Sequence, residues 1–468
     1  MSDRRVFRWA TTSARLLIGT AVSVLAVVAV VTAVSVPWPT VVREPLSVPA
    51  TPAPAASVLA CDGGLLTIGR NPTAASTVTL AAPQSVVGGT ADGGGAAEQQ
   101  LMTTGVGPGP LAYTAQPNGD QRVDIAATGA ATANADDLSG FAASACRPPL
   151  LDSWLVGGSA ATGAADLVLL ANPGAVPATV QLTVYGVDGP ETPLGGTDLV
   201  IAPGTQRVVP LAGLALGEET PVVRVSAVGA PIHASLQASI TRTLTPGGVD
   251  QVGPIAHTEN RQVITGITVT RPTDADGAAN ETTVLRMLSP SLPATARVSV
   301  TSAGRTDPIG EAQEVSLEAG KPLELALSGL TPGAYTVTVD SDAPAVAAVW
   351  QATGVSEGDD FAWYTPAPEV AVPSLFATPG GPTPSLTVVN PTDEPVTVDV
   401  TPTDGDSALN LTVPANGSVA VRLATRSLYV LDPHAPVRAG LSFTGDGALA
   451  GVPVWPADVV TPEIVVYP

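Results

Sequence analysis

The longest apolar run of the sequence lies close to its amino terminus. From Leu16 to Val36 there are twenty-one residues without a charge, and nearly all of them are Val, Ala, Leu or Ile. At about 1.5 Å of rise per residue, a helix of this length crosses a hydrocarbon layer of about 30 Å. The pattern therefore predicts one transmembrane helix.

The charges before this run predict its orientation. One acid and four arginines precede it: Asp3, Arg4, Arg5, Arg8 and Arg15. Because positive flanks stay in the cytoplasm, we expect a basic cytoplasmic tail at residues 1–15, a signal anchor at 16–36 and an extracytoplasmic remainder. The chain would then be a single-pass protein of the cytoplasmic membrane.

Two alternatives would change this attachment. A cleaved signal peptide could end near Ala33 and Ser35, although its apolar core would normally be only about 7 to 15 residues long. A lipoprotein could be attached through Cys61, but that residue lies far beyond the end of the apolar run. Both fit the sequence less well than an uncleaved anchor does.

Prolines dominate the segment after the predicted anchor. Six of them lie between Pro37 and Pro54. Proline favours an extended polyproline-like chain and cannot donate a hydrogen bond to a sheet ladder. We therefore predict an extended stalk at residues 37–56. The alternative, an ordered first strand, fits the proline spacing less well.

Three later stretches share one pattern of apolar and polar residues in one order. They begin LVLLANPGAVPATVQL at Leu167, VLRMLSPSLPATARV at Val284 and LTVVNPTDEPVTVDV at Leu386. In the first and third copies, an asparagine (Asn172 or Asn390) is followed by proline after five residues and by valine after eight. The middle copy is degenerate and has Ser289 where the other two have asparagine. These three positions are 117 and 101 residues apart, so the repeat has the length of a domain.

The residues after these landmarks predict strands and turns. Val180, Leu182 and Val184 alternate with polar residues, which is the pattern of a half-buried strand. Alternating apolar residues on both sides of Gly320 predict a hairpin. Turn glycines and Ala-Pro pairs recur in the three copies: Gly204, Gly320 and Gly417, then Ala230-Pro231, Ala343-Pro344 and Ala435-Pro436. We expect each Ala-Pro pair to connect two strands.

These signals predict an all-β fold after the helix. Several short strands per hundred residues are typical of tandem antiparallel β-sandwich modules, which we expect to be immunoglobulin-like. We predict a divergent β module at residues 57–150 and three β-sandwich repeats at 151–258, 259–365 and 366–468. A β-propeller is the alternative architecture, although its repeats usually have only about 40 to 50 residues.

Composition narrows the compartment and the partners. The formal net charge is −21, so nucleic acid and acidic lipid headgroups are poor partners. Lys321 is the only lysine among the basic residues, a bias typical of GC-rich genomes such as those of actinobacteria. Both cysteines, Cys61 and Cys146, lie on the exported side. We predict a disulfide between them and not a metal site, because no histidine lies between them.

Three segments together resemble a family known from actinobacteria. They are Cys146-Arg147-Pro148-Pro149, DSWLVGG from Asp152, and LVLLANPGAVPATVQLTVYGVDG from Leu167. The family is classed only as a domain of unknown function, and it is seen in membrane-anchored exported proteins. The resemblance covers most of the chain after the stalk. It carries no assigned activity and therefore implies no catalytic residues.

The polar residues show no catalytic pattern. The three histidines, His233, His257 and His434, are far apart in the sequence, and we interpret each as structural or exposed. The sequence has no nucleophile elbow, phosphate loop or zinc-protease spacing. We therefore predict no enzyme, no cofactor and no metal site. A hydrolase that uses an unidentified carboxylate pair is a remote alternative.

Pairs of acids in expected loops are candidates for calcium binding. They are Asp274 and Asp276, Asp340 and Asp342, Asp359 and Asp360, and Asp404 and Asp406. Because none belongs to a complete calcium-binding loop, we interpret them as solvated turn residues.

One aromatic group is a candidate for ligand binding. Phe361, Trp363 and Tyr364 lie in an expected connector, where exposed rings could stack on sugars, although we favour burial at a module interface. The sequence therefore leads to two hypotheses. The first is a non-enzymatic structural or protein-interaction scaffold of the bacterial cell envelope, whose partner is another envelope protein. The second is an envelope protein that binds cell-wall glycan.

Overall fold

The structure is a computed structural model that describes residues 3–35, 48–50, 53–70, 73–74, 76–91, 93–272, 282–405, 407–458 and 464–466. These residues contain one α-helix, α1 (Asp3–Ser35), and two single-turn 3-10 helices (Leu194–Gly196 and Leu211–Gly213). Their strands are, in chain order, β1 (Val48–Ala50), β2 (Ser57–Ala60), β3 (Leu65–Ile68), β4 (Val78–Ala82), β5 (Ser85–Thr90), β6 (Ala97–Thr103), β7 (Gly107–Ala115), β8 (Ile125–Ala135), β9 (Leu138–Ala145), β10 (Asp152–Val156), β11 (Leu167–Asn172), β12 (Ala178–Gly186), β13 (Gly189–Glu191), β14 (Leu199–Ile201), β15 (Thr205–Pro210), β16 (Val222–Val228), β17 (His233–Arg242), β18 (Thr245–Val252), β19 (Glu259–Val269), β20 (Thr283–Leu288), β21 (Ala294–Ser302), β22 (Gln313–Leu317), β23 (Leu323–Ala326), β24 (Gly333–Ala352), β25 (Phe361–Tyr364), β26 (Glu369–Val370), β27 (Ser374–Thr378), β28 (Pro384–Val389), β29 (Val396–Pro402), β30 (Leu409–Val413), β31 (Ser418–Arg422), β32 (Ser427–Pro433), β33 (Val437–Gly445), β34 (Ala448–Pro453) and β35 (Ile464–Val466).

The chain forms two compact units, one of residues 1–52 with 462–468 and the other of residues 53–461. The smaller unit contains α1 and the antiparallel pair of β1 and β35. Residues 13–35 of α1 are exposed and are long and apolar enough to be a membrane span or a signal sequence. The predicted apolar run thus lies in α1, except for Val36, which falls outside the described residues together with most of the predicted stalk. Within the predicted stalk, residues 48–50 form the paired strand β1, so this part is an ordered strand and not an unpaired extended chain.

In the larger unit, each repeat contributes strands to two sheets in one shared order. One set of strands runs β10-β16-β12-β14, β19-β24-β21-β22 and β27-β32-β29-β30 in repeats 1, 2 and 3. The other set runs β18-β17-β11-β15, β25-β24-β20-β23 and β34-β33-β28-β31. Equivalent strands therefore occupy equivalent positions in the three copies. The all-β prediction is confirmed, and the immunoglobulin-like classification stays a prediction.

Alternating burial explains why the strand after each Asn-Pro or Ser-Pro pair forms where it does. Along β12, Val180 and Leu182 are buried while Thr179 and Gln181 are exposed. The buried side chains join one apolar core with residues of β11, β16 and β17. Since burying one such side chain stabilises a fold by roughly 1.5–3 kcal/mol, this face holds the strand in the sheet. The predicted half-buried strand is confirmed.

The predicted hairpin across Gly320 is wrong. β22 pairs with β21, but β23 on the other side of the turn pairs with β20 in a different sheet. A turn between two sheets reverses the chain as a hairpin does, so both produce the same alternation of apolar residues. Gly320 has a φ of 74°, and in repeat 3 the left-handed residue of the turn is Asn416 (φ 50°) and not the predicted Gly417.

The Ala-Pro pairs separate strands in two repeats and not in the third. Ala230-Pro231 lies between β16 and β17, and Ala435-Pro436 lies between β32 and β33. In repeat 2, β24 continues through Pro344. Its first part pairs mainly with β19 and β21 and its second part with β20 and β25, and the register skips Pro344. The strand thus changes sheets at a residue that has no N–H to donate.

The N-terminal strands β2–β9 are arranged differently from the repeats. β8 pairs with β5 and β9 in one sheet, and β3 pairs with β4. β6 pairs in parallel with β15, and β7 and β2 continue from it. As a result, a sheet of repeat 1 extends into the N-terminal strands and reaches seven strands.

The last strands of the three repeats and β9 pack around a shared buried acid. β9 packs against β18 and β34, and β25 packs against the same two strands. The carboxylate of Asp360, directly before β25, accepts hydrogen bonds from the amides of Phe141 (2.9 Å), Val249 (3.1 Å) and Leu449 (3.1 Å). A Cβ atom on the glycine before Phe141 would lie 2.5 Å from this carboxylate. Glycine at that position therefore permits the close approach.

Candidate functional site

The structure contains the predicted disulfide between Cys61 and Cys146. Both cysteines are buried, and the bond joins the residue after β2 to the residue after β9. The adjacent Arg147 is also buried. Its Nη2 donates to the carbonyl oxygen of Pro453 (2.7 Å), and its guanidinium lies 4.6 Å from the ring centre of Trp455. These residues therefore hold the N-terminal strands against repeat 3.

The three predicted ligand-binding aromatics lie in β25 and not in a connector. Phe361, Trp363 and Tyr364 are 0%, 5% and 2% exposed. They are buried because β25 pairs with β24 and packs against β18 and β34. Sugars stack on exposed ring faces, so these residues do not form the open platform that the glycan hypothesis requires.

The histidines are separate in space as well as in sequence. His233 is buried, with its Nε2 2.5 Å from Oδ1 of Asp62. His434 is exposed, with its Nε2 3.5 Å from the carboxylate of Asp399. His257 is exposed in the connector before β19. In the part of the chain that the structure describes, no three His, Cys, Asp or Glu side chains are placed to hold a metal ion.

The predicted turn acids fall into two classes. The interpretation as solvated residues is wrong for Asp359 and Asp360, which are buried. Both carboxylates have polar partners in the fold. Nη2 of Arg271 lies 2.9 Å from Oδ1 of Asp359, and backbone amides donate hydrogen bonds to Asp360. Three of the other acids are exposed, as predicted: Asp340, Asp342 and Asp404. Outside the described residues lie Asp274, Asp276 and Asp406.

A groove lies where repeats 1 and 2 meet, and we call it the junction groove. Its volume is about 510 Å³. Three strands of repeat 1, β10, β12 and β16, supply one side. The connector before β19, the turn after β20 and the Ala343-Pro344 segment of β24 supply the other. Its lining residues include Asp152, Trp154, Tyr185, Arg224, His257, Ser289, Pro290, Leu292 and Pro344.

The register of the sheet brings the repeat 1 side chains together. Asp152 and Trp154 are two residues apart on β10, so they point to the same face. Trp154 lies opposite Arg224 on β16, and Tyr185 lies on β12, the other neighbour of β16. The guanidinium of Arg224 is 5.4 Å from the ring centre of Trp154, and the rings of Trp154 and Tyr185 are 5.4 Å apart.

The charges in the junction groove largely cancel. Nε of Arg224 donates to Oδ1 of Asp152 at 3.0 Å, and Nη2 donates to Oδ2 at 2.5 Å. The hydrogen bond to Asp152 raises the pKa of Arg224, so its guanidinium stays charged. Trp154 and Tyr185 are only 5% and 7% exposed, so their rings support the wall without presenting an open face. The groove therefore suits an uncharged segment with backbone hydrogen-bonding groups.

Sequence reasoning did not identify this groove. Trp154 belongs to the segment DSWLVGG, which indicates a family resemblance but no groove. The available signal was the alternation of Asp152 and Trp154, which predicts a polar and aromatic strand face. Arg224 lies about seventy residues later, and only the pairing of β10 with β16 brings it to that face.

Comparison with known proteins identifies a family but no activity. A family model described as a family of unknown function (DUF5719) matches residues 101–426, which is more than half of the chain. No curated protein matches. Among solved structures, a domain described as "Biofilm associated protein - BSP domain" aligns with 90% of this chain and 100% of its own, with 8% identity and a TM-score of 0.12. A TM-score this low does not indicate a common fold.

Proposed function

Because the chain belongs to a family of unknown function (DUF5719), which has no activity to transfer, we propose a function from its own geometry. We infer that it is a non-enzymatic protein of the bacterial cell envelope, anchored in the cytoplasmic membrane. Its larger unit would act outside the cytoplasm as a scaffold that binds another envelope protein.

Two features support this location. The apolar helix has the length and composition of a membrane span, and four arginines precede its apolar part. The disulfide between Cys61 and Cys146 suits an oxidising compartment. We propose that α1 is an uncleaved signal anchor with its amino terminus in the cytoplasm. The shared strand order of the three repeats supports their assignment as tandem immunoglobulin-like modules.

The junction groove is the observation on which the proposed protein partner rests. It is open and nearly neutral, the connector before β19 and the turn after β20 border it, and Leu292 at its edge is exposed. An extended peptide segment can use both apolar side chains and backbone hydrogen bonds in such a groove. A sugar would lack an open ring face for stacking, because Arg224 lies over Trp154. The geometry therefore favours a protein partner over a glycan.

Site-specific photocrosslinking in cells tests this proposal. A photoreactive phenylalanine analogue would replace Leu292 in the groove, and a matched control would carry it at Leu244, which is also exposed but lies in the turn between β17 and β18. We expect a reproducible protein adduct in the membrane fraction from position 292 only. Equal adducts from both positions, no protein adduct, or a released chain that begins near Val36 would contradict the proposal.

A further inference from the structure

A second cavity between repeats 1 and 2 is lined by aromatic rings and acids, and we call it the aromatic cavity. Its volume is about 280 Å³. Trp350, Phe361 and Trp363 form its aromatic walls, and Asp166, Glu219, Glu324 and Arg286 supply its charges. Trp350 is half-buried and Glu219 is exposed, so the cavity opens to solvent on this side. It is distinct from the junction groove, and none of the lining residues is shared.

The protein already holds one cation against these walls. The guanidinium of Arg286 lies 4.7 Å from the ring centre of Trp363. All five of its N–H groups have acceptors, namely Oε1 of Glu324 and the carbonyl oxygens of Gly158, Pro221 and Glu219. Arg286 is therefore a fixed part of the wall, with no donor left for a ligand.

The carboxylates of the cavity outnumber this cation. Glu324 is paired with Arg286, and the Asp166 carboxyl accepts hydrogen bonds from the amides of Ser159 (2.6 Å) and Ser239 (2.8 Å). The Glu219 side chain forms no hydrogen bond or ion pair with any residue that the structure describes. One exposed carboxylate thus remains available beside the aromatic walls, and Arg286 balances only one of the three acids.

We propose that the aromatic cavity binds an organic ammonium cation, either a small free molecule or the lysine side chain of a partner. Aromatic faces attract such cations through the negative charge of the π face, and desolvation strengthens the attraction. Trp350, the half-buried ring of the cavity, would provide the face that Arg286 does not occupy, and Glu219 would supply the opposite charge. This site is independent of the partner proposed for the junction groove.

The buried acid adds a pH dependence to this binding. Burial raises the pKa of Asp166 to about 7, because a charge is costly away from water. The charged groups around it are Arg286, Glu218, Glu219 and Glu324. A bound cation stabilises ionised Asp166, so the affinity for the cation rises as the pH passes upward through about 7.

Titration of the full-length protein in an uncharged maltoside detergent tests the proposal. The probes are choline and its uncharged carbon analogue, in which a tert-butyl group replaces the trimethylammonium group. Calorimetry and tryptophan fluorescence report binding. We expect choline to bind about tenfold more tightly than the analogue, as a cation–π contact of about 1 to 2 kcal/mol implies. Nα-acetyl-lysine amide has only the side-chain ammonium group, so its binding as tightly as choline would identify a lysine side chain as the source. Binding of choline alone would identify a small quaternary ammonium compound.

Two variants make the outcome decisive. Glu219→Gln removes the free carboxylate at the exposed rim, where a change of fold is not expected, and it should weaken choline binding by about threefold or more. Glu191→Gln, an exposed acid of β13 outside the cavity, should leave it unchanged. Equal affinity for choline and its analogue, no binding of either cation, or no effect of Glu219→Gln would overturn the proposal.

Discussion

The carboxylate of Asp360 connects β9, β18 and β34 to the strand that it precedes. Burial raises its pKa to about 7, while the amides of Phe141, Val249 and Leu449 act in the opposite direction by stabilising the ionised form. Buried backbone amides need acceptors, and this one carboxylate accepts hydrogen bonds from three of these amides. At the scale of single residues, the larger unit therefore depends on an acid that nothing in its local sequence distinguishes from a turn residue.

Replacing this acid should weaken the whole larger unit. Asp360→Ala leaves three buried amides without an acceptor, at a cost of about 1–3 kcal/mol each, so we expect the free energy of unfolding to fall by at least about 3 kcal/mol. Denaturant titration of the purified protein measures it. The control is Asp446→Ala in the exposed turn before β34, which should change stability by less than about 0.5 kcal/mol. Equal effects of the two substitutions would show that the shared acid does not hold the strands together.

The loops after β11 and β28 show what the Asn-Pro pairs do at the scale of elements. Nδ2 of Asn390 donates to the carbonyl oxygens of Glu394 (2.7 Å) and Val413 (3.3 Å), and its Oδ1 accepts from the amide of Thr392 (2.9 Å). Asn172 makes equivalent bonds in repeat 1. The asparagine thus fixes the loop and ties it to the end of β30 in repeat 3.

Asparagine is required at this position because it donates and accepts at once. Asn390→Asp keeps the shape but cannot donate to the two carbonyl oxygens, so we expect a loss of about 2–4 kcal/mol in the free energy of unfolding. Asn134→Asp, at an exposed position of β8 whose side chain makes no hydrogen bond in the described residues, is the matched control and should cost less than about 1 kcal/mol. Thermal unfolding of both variants gives the comparison. A destabilisation no larger than that of the control would rule out this role for the Asn-Pro motif.

The elements themselves were largely predictable because a strand face repeats every two residues. The alternation around Val180 and the repeat landmarks correctly placed the strands that follow Asn172 and Asn390. Strand pairing was harder to predict from the sequence. A chain reversal at Gly320 gives the same pattern of apolar residues whether the next strand joins the same sheet or another one. The junction groove was not predictable for the same reason, because Arg224 reaches Trp154 only through strand pairing.

At the scale of the larger unit, the repeats share their interiors. One apolar core contains Val168 of repeat 1 together with Val346 and Phe361 of repeat 2. Another contains Phe141 of the N-terminal strands together with Phe443 of repeat 3, whose ring centres are 6.2 Å apart. Tandem order in the sequence therefore does not imply separate cores. We expect the larger unit to unfold cooperatively, so its buried acids influence one shared transition.

These acids predict a fall in stability as the pH rises. Burial raises the pKa of Asp166 and Asp360 to about 7 and that of Asp124 to about 6, and it also raises the pKa of Asp250. In the unfolded chain each would titrate near pH 3.9. The folded state therefore binds protons more tightly, and the stability from protonated acids is fully present below about pH 4 and lost as the pH rises towards 7. The net charge of −21 adds repulsion in the same direction.

We therefore expect the melting temperature to be highest near pH 5 and to decrease up to about pH 7.5. Below pH 5 an opposing effect begins, because the hydrogen bond from Arg70 lowers the pKa of Asp137, and that contribution is lost on acidification. Calorimetric scans across this range measure the profile. Asp124→Asn removes one titrating group while keeping an acceptor for the amide of Leu375, so it should flatten the profile between pH 5 and 7. A melting temperature that rises from pH 5 to 7.5 would mean that these acids are ionised in the folded protein, and that the amides around them outweigh their burial.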